Sequence, residues 1–344
     1  MATLYLVEQN TILRKSGDRV VFCKRPPSKR MSPGLRQMDV LMEWPCADVE
    51  QVMLFGNIQI TTQAMHKLLE HGVETALFSL NGNLYGQLTP PGGKNIFLRQ
   101  QQYQKALDPD FCLDFSRRIV EDKLNSAFKL LQTHEYNHPG IFPREALKNL
   151  EQMIENCRTA TALEALRGYE GAGTAQYFKL LGGLLPDEFK FQQRTRRPPK
   201  DPANAVLSFG YTIVASELQA LLDGIGFDPY LGYYHQVQYG RASLALDLVE
   251  LFRHRFIDRL MLNLFNLKIL NQTDFNEVGK GGIYLSIAGK KKFFVQYERM
   301  VGQYQGEVPD PKRKIGFRKA FQEQVGLLAK TIKAGVPFII YEEF

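Results

Sequence analysis

From residue 2 to about residue 88, apolar and polar positions mostly alternate with period two between turn signals. Thr3-Leu4-Tyr5-Leu6-Val7, Arg19-Val20-Val21-Phe22 and Asp39-Val40-Leu41-Met42 are therefore expected to be strands. One helix interrupts them at Thr61 to His71, where Thr61 or Thr62 can cap the first turn and Gly72 can end the last. Val73 to Leu80 returns to the strand pattern, and Asn81-Gly82-Asn83 is a strong hairpin turn before Leu84-Tyr85-Gly86. A β-rich domain over 1–88 follows.

Thr89-Pro90-Pro91-Gly92-Gly93 can continue neither a strand nor a helix, so 89–97 reads as a linker. Beyond it the period changes to that of a helix, with helical stretches expected at 97–107, 111–134, 143–157, 160–184, 203–223, 242–270 and 315–334. The exception is Gly281 to Lys290 followed by Lys292-Phe293-Phe294-Val295, which alternates and turns like a β-hairpin. The fold class is α+β: an N-terminal β-rich domain, then a mainly α-helical domain over 98–344. No internal repeat is apparent.

A chain of 344 residues with 44% hydrophobic residues can bury a full core, which argues against disorder. Lys and Arg number 43 against 36 Asp and Glu, for a formal charge of +7, and this favours an anionic partner, most commonly nucleic acid. No uninterrupted apolar run has the length of a membrane span, and the first residues do not read as a leader, so a cytoplasmic protein without a membrane is expected. Cys23, Cys46, Cys112 and Cys157 are far apart and form no Cys-x-x-Cys pair, so neither structural zinc nor a disulfide framework is indicated.

Three places could carry chemistry. Glu170 lies in a helical stretch where Gly171, Ala172 and Ala175 leave little bulk beside it, although an exposed helix glutamate is the blander account. His235 follows the glycine- and tyrosine-rich approach Gly224 to Tyr234, where an imidazole can bind metal or satisfy a buried hydrogen bond. Asp247 and Glu250 are three apart on an apolar helix and share a face, so at least one carboxylate is expected to be poorly solvated. A cation would relieve that cost, and oxygen donors with one imidazole suit Mg²⁺ or Mn²⁺. A salt bridge from either acid to Arg241, Arg253 or Arg255 would do so too.

Basic residues cluster at Lys24, Arg25, Lys29 and Arg30; at Arg194, Arg196, Arg197 and Lys200; at Lys290 to Lys292; and at Lys312 to Lys314. Most such runs are solvated surface. The second contains no acid, is held extended by Pro198-Pro199, and falls between the Glu170 helix and the His235 loop. With Arg241 and Arg253 beside the paired acids, it is the expected DNA contact.

Several segments in order resemble the CRISPR-associated spacer-acquisition integrase, the first core adaptation protein of CRISPR systems. They are Glu170 in its Glu-Gly helix, Arg197-Pro198-Pro199 through Asn204 to Tyr211, His235, and Arg241 to Glu250. The likeness extends to Val52 to Asn57 with Ile60-Thr61, and to Leu98 to Tyr103. It implies a β-domain that mediates homodimerisation and a helical domain holding Mg²⁺ or Mn²⁺ through Glu170, His235 and Glu250. Asp247, one turn earlier, would support the site or serve as the alternative ligand.

The same resemblance implies insertion of short double-stranded DNA fragments into a repeat array by transesterification. It also implies a small ferredoxin-like companion protein and, in a type I branch, an iron-sulfur nuclease helper. Two alternatives use the same residues: a metal-dependent DNA nuclease without integrase activity, and a non-catalytic DNA-binding scaffold.

Overall fold

The computed structural model describes residues 2–24, 38–90, 95–279, 281–302, 304–309 and 312–340, the side chains of 304–309 and 312–315 excepted. Arg25, Lys29, Arg30, residues 91–94 of the expected linker and the Lys312 to Lys314 side chains lie outside the described residues. The chain divides into two compact units, Met1–Gly92 and Gly93–Phe344.

The first unit contains two four-stranded sheets. In one, β1 (Ala2–Leu6) and β7 (Glu74–Phe78) run parallel to β5 (Val49–Phe55) on either side of it, and β8 (Leu84–Leu88) pairs antiparallel with β7. The β7–β8 connection is the Asn81-Gly82-Asn83 turn, with Gly82 at φ +88°, a left-handed conformation that favours glycine. The other sheet has the order β4 (Asp39–Pro45), β3 (Arg19–Lys24), β2 (Thr11–Ser16), β6 (Ile58–Ile60). Leu4, Leu6, Val52 and Leu54 from one sheet share a core with Leu13, Val20 and Phe22 from the other and with Ala64 and Leu68 of α1 (Thr62–Glu70). Thr61 caps α1 by accepting from the Ala64 amide. Edge strand β4 leaves Val40, Leu41 and Met42 exposed.

The second unit is mainly helical, as the sequence pattern predicts. It comprises α2 (Ile96–Ala106), α3 (Pro109–Asn137), α4 (Arg144–Arg158), α5 (Leu163–Gly183), α6 (Pro202–Ile225), α7 (Ser243–Val249), α8 (Arg259–Asn266), α9 (Ile287–Gly302) and α10 (Phe317–Ala334). Asp108 and Asp201 cap α3 and α6, each with proline in the first turn, and Gly226 at φ +109° ends α6. By length and composition α6 could cross a membrane, but most of it is buried within the protein, which is the signature of a core helix.

Two expectations are corrected. The 242–270 stretch is not one helix: after α7 it narrows to a 3₁₀ turn at Glu250–Phe252, widens to a π turn at Arg253–Asp258, and resumes as α8. All six residues of the π turn are buried, so packing on every side sets its path and periodicity carries little information there. The hairpin also falls earlier than expected. β9 (Phe275–Val278) pairs antiparallel with β10 (Gly282–Leu285), and Lys292 to Val295 belong to α9. Ser286 Oγ accepts from the Gly289 amide at the start of α9, and Phe293, Phe294, Tyr297, Met300 and Val301 supply a helical apolar stripe. Backbone strands β11 (Tyr304–Pro309) and β12 (Lys312–Gly316) pair antiparallel before α10.

Candidate active site

Helices α3 and α5 approach closely because Gly173 has no side chain; a Cβ there would lie 3.1 Å from Leu124. That contact places Glu170, one turn earlier on α5, beside Lys123 of α3. Of the small residues near Glu170, Gly173 serves this helix packing, whereas Gly171, Ala172 and Ala175 are exposed. Lys123 is only 2% exposed, and its ammonium donates to Glu170 Oε1 while lying 2.7 Å from Glu250 Oε2. Thr174 Oγ1 donates to the same Glu170 oxygen at 2.9 Å.

Glu250 opens the 3₁₀ turn and is buried. Arg253, first residue of the π turn, donates to Glu250 Oε1 at 2.7 Å and stacks its guanidinium over Tyr211, 4.3 Å from the ring centroid. Next along the π turn, His254 Nδ1 lies 2.6 Å from Asp258 Oδ2. Tyr177 OH donates to that oxygen at 2.8 Å and Tyr211 OH donates to Asp258 Oδ1. This buried polar network ties the turn to α5 and α6, so the position of Glu250 is fixed from both sides.

His235 is held by Asp247, which is fully buried on α7. Asp247 Oδ1 accepts from the His235 amide at 2.8 Å and lies 2.7 Å from His235 Nδ1, and Oδ2 accepts from the Tyr233 and Tyr234 amides at 2.7 and 3.1 Å. Gly232 is required at this approach, because a Cβ would lie 2.8 Å from Asp247 Oδ2 and from the Ser243 backbone. With Nδ1 engaged by the carboxylate, Nε2 is turned toward Glu250, 3.8 Å from Oε1.

The electrostatics follow from these contacts. Burial alone would raise the Glu250 pKa, but Arg253 and Lys123 outweigh it and hold the carboxyl well below its usual range. Glu170 is also lowered: burial and the Glu250 charge push it up, and Lys123 more than offsets them.

The structure brings Glu170, His235 and Glu250 to one place, with Lys123 between the two glutamates. In this arrangement no three acid, histidine or cysteine side chains among the described residues stand close enough together to hold a metal. Their chemistry nevertheless fits a hard divalent cation. They offer two carboxylates and one imidazole, and a positive charge, the Lys123 ammonium, already sits against both carboxylates.

Lys123 is not among the site residues expected above, although the sequence carries a signal for it. Ile119, Val120, Lys123, Leu124 and Ala127 form one buried helical stripe of α3, in which a lysine is out of place unless it has an acidic partner.

The arginines expected to touch DNA divide. Arg253 is buried against Glu250 and Tyr211, and Arg194 is committed to Asn204, donating to its Oδ1 at 2.6 Å, and to Ser208. Both guanidinium groups thus make internal contacts in this structure, Arg253 buried and Arg194 half-buried. Arg241 donates to the Gln236 carbonyl and closes the His235 loop. Arg196, Arg197 and Lys200 are exposed. Arg196 is near enough to feel Glu250 and Glu170, while partial loss of hydration along its side chain, despite its exposed surface, and the neighbouring Arg253 lower its pKa. In the basic cluster at Lys290 to Lys292, Lys290 is buried and donates to the Leu285 carbonyl, and Lys292 pairs with Asp274 at 2.7 Å.

A family model described as CRISPR associated protein Cas1 matches residues 4–299. The chain belongs to the Cas1 family. It is 39% identical over 281 residues to a CRISPR-associated endonuclease Cas1 of Thermodesulfovibrio yellowstonii, covering 79% of this chain and 87% of that relative. Among solved structures, a casposase bound to integration product superposes with a TM-score of 0.84 at 19% identity, covering 99% of this chain and 93% of the other, which shows a shared fold. A Cas6-RT-Cas1–Cas2 complex gives a TM-score of 0.77 at 25% identity, over 100% of this chain and 36% of that chain.

Proposed function

We propose that this Cas1-family chain is a metal-dependent DNA endonuclease and integrase that inserts short foreign DNA fragments into a CRISPR array by transesterification, in the cytoplasm. One observation carries the reading: half-buried Glu170 and buried Glu250, from different elements, share a single cation, with the Nε2 edge of an Asp247-oriented His235 beside Glu250. The similarity to a relative named as an endonuclease supports the phosphodiester chemistry.

Glu170, His235 Nε2 and Glu250 would hold Mg²⁺ or Mn²⁺, which supplies Lewis-acid stabilisation of the negative charge that develops on a reacting phosphodiester. The protein's own groups prepare that place. Asp247 fixes the imidazole tautomer with the proton on Nδ1, leaving Nε2 as a donor atom. Arg253 secures Glu250 in its ionised form, and Thr174 steadies Glu170. Exposed Arg196, which feels the charge of both glutamates, would receive a DNA phosphate near them.

The partners in this reading are double-stranded DNA, a second copy of the chain and a small companion adaptation protein. The exposed apolar residues Val40, Leu41 and Met42 on edge strand β4 support the homodimer, because an unpaired apolar edge favours burial. The Cas2 named with the structurally similar Cas1 supports the companion.

The deciding experiment incubates labelled DNA fragments with a repeat-containing duplex, the protein and Mn²⁺. Covalent joining of label to the duplex is the expected result. Cleavage without joining would reduce the function to a nuclease, and neither product, with DNA still bound, would leave a scaffold.

A further inference from the structure

Lys123 is buried on the apolar stripe of α3, and its charge is met inside the protein by carboxylates from two other elements. The oxygens are divided between two cations. Arg253 pairs with Glu250 Oε1, whereas Lys123 faces both Glu250 Oε2 and Glu170 Oε1. Arg253 therefore neutralises Glu250, and Lys123 is the cation that the two glutamates share.

We infer that Lys123 is an internal cation that keeps the metal-free site assembled and competes with the divalent ion for Glu170 and Glu250. The inference rests on the metal-binding reading above. Without a shared cation, a buried and a half-buried carboxylate in one site repel and are poorly solvated, so the metal-free site needs a positive charge there. A divalent ion held by Glu170 and Glu250 would compete with the ammonium for their oxygens. Lys123 is thus a positioning residue with two opposed effects: it stabilises the empty site and weakens metal binding.

The test is calorimetric titration with Mn²⁺ alone, paired with thermal melting of metal-free and Mn²⁺-saturated protein, for the wild type, Lys123→Met and Lys123→Gln. Both variants remove the charge and keep comparable length. The expected result is tighter Mn²⁺ binding by about tenfold or more, a lower metal-free Tm, and a larger rise in Tm on saturation than in the wild type.

Variants that fold only with Mn²⁺ would also support the inference, because the metal then supplies the missing charge. Mn²⁺ affinity equal to or weaker than wild type, or variants that stay unfolded at saturating Mn²⁺, would overturn it. A wild-type protein that binds no Mn²⁺ overturns the metal-binding reading itself, whereas wild-type binding without tightening in the variants overturns only the role given to Lys123.

Discussion

Asp247 Oδ1 lies 2.7 Å from His235 Nδ1 and also accepts the His235 backbone amide at 2.8 Å, so one carboxylate fixes both the ring and the main chain of the same residue. Its second oxygen takes the amides of Tyr233 and Tyr234, which makes the loop that delivers His235 an extension of α7. Asp247 therefore acts through His235.

Replacing Asp247 with Ala is expected to weaken Mn²⁺ binding by roughly 10- to 100-fold, the usual loss when the group orienting a histidine ligand is removed. Asp247→Asn should fall between Ala and wild type, since it keeps one accepting oxygen. Calorimetric titration of the three proteins measures this; equal affinity in all of them would remove Asp247 from the site's support.

The two glutamates differ in what their loss leaves behind. Glu250→Ala deprives buried Arg253 of its partner and Lys123 of one of two, and a broken buried pair costs about 3–5 kcal/mol. Glu170→Ala should cost less, because Lys123 keeps Glu250 and the Glu170 side chain is itself 19% exposed. Urea unfolding of the metal-free variants tests the asymmetry, while both should lose DNA joining. A Glu170→Ala variant less stable than Glu250→Ala would contradict the geometry.

For DNA contact, Arg196 and Arg197 are the exposed arginines of the basic run, beside exposed Lys200. Converting both to Ala should weaken binding to unrelated duplexes about equally and lower the salt slope by roughly 0.9 for each lost phosphate contact. Fluorescence anisotropy across a salt series reads both quantities. An unchanged slope would move the DNA path elsewhere.

Lys290 gives a pH signature away from the site. Burial lowers its pKa to about 8, so between about pH 8 and the ordinary lysine range near 10.4 the unfolded chain binds more protons than the native one. The burial penalty is full below pH 8 and is relieved as pH rises through this window. Stability of the wild type relative to Lys290→Met should therefore grow with pH there, by at most about 1.4 kcal/mol per pH unit. Denaturant titrations at pH 7 and pH 10 compare the two; a constant difference would place the lysine in contact with water.

Local pattern was enough for much of this architecture. Period-two alternation located β1, β3 and β4, and Asn81-Gly82-Asn83 located the β7–β8 hairpin, because side-chain direction in a strand and left-handed backbone at a turn are local properties. The helical repeat likewise placed α3 to α6 within a few residues, and Asp108, Asp201 and Gly226 mark ends that the sequence itself encodes. The ordered segments around Glu170, His235 and Glu250 carried the family.

Tertiary structure decided the rest. The 242–270 stretch reads as one helix because its residues are apolar on nearly every side, yet Glu250 and Arg253 take their places only through the 3₁₀ and π turns. Arg194 and Arg253 look like surface charge in a basic chain, but Asn204, Ser208 and Glu250 hold them inside. Lys123 is the clearest case. Periodicity marks its side of α3 as buried, but whether a lysine there is an error or a counterion depends on which oxygens lie opposite. Those oxygens arrive from α5 and from the turn after α7, brought together by the close approach at Gly173 and the packing of the π turn, distances that no local pattern in the chain records.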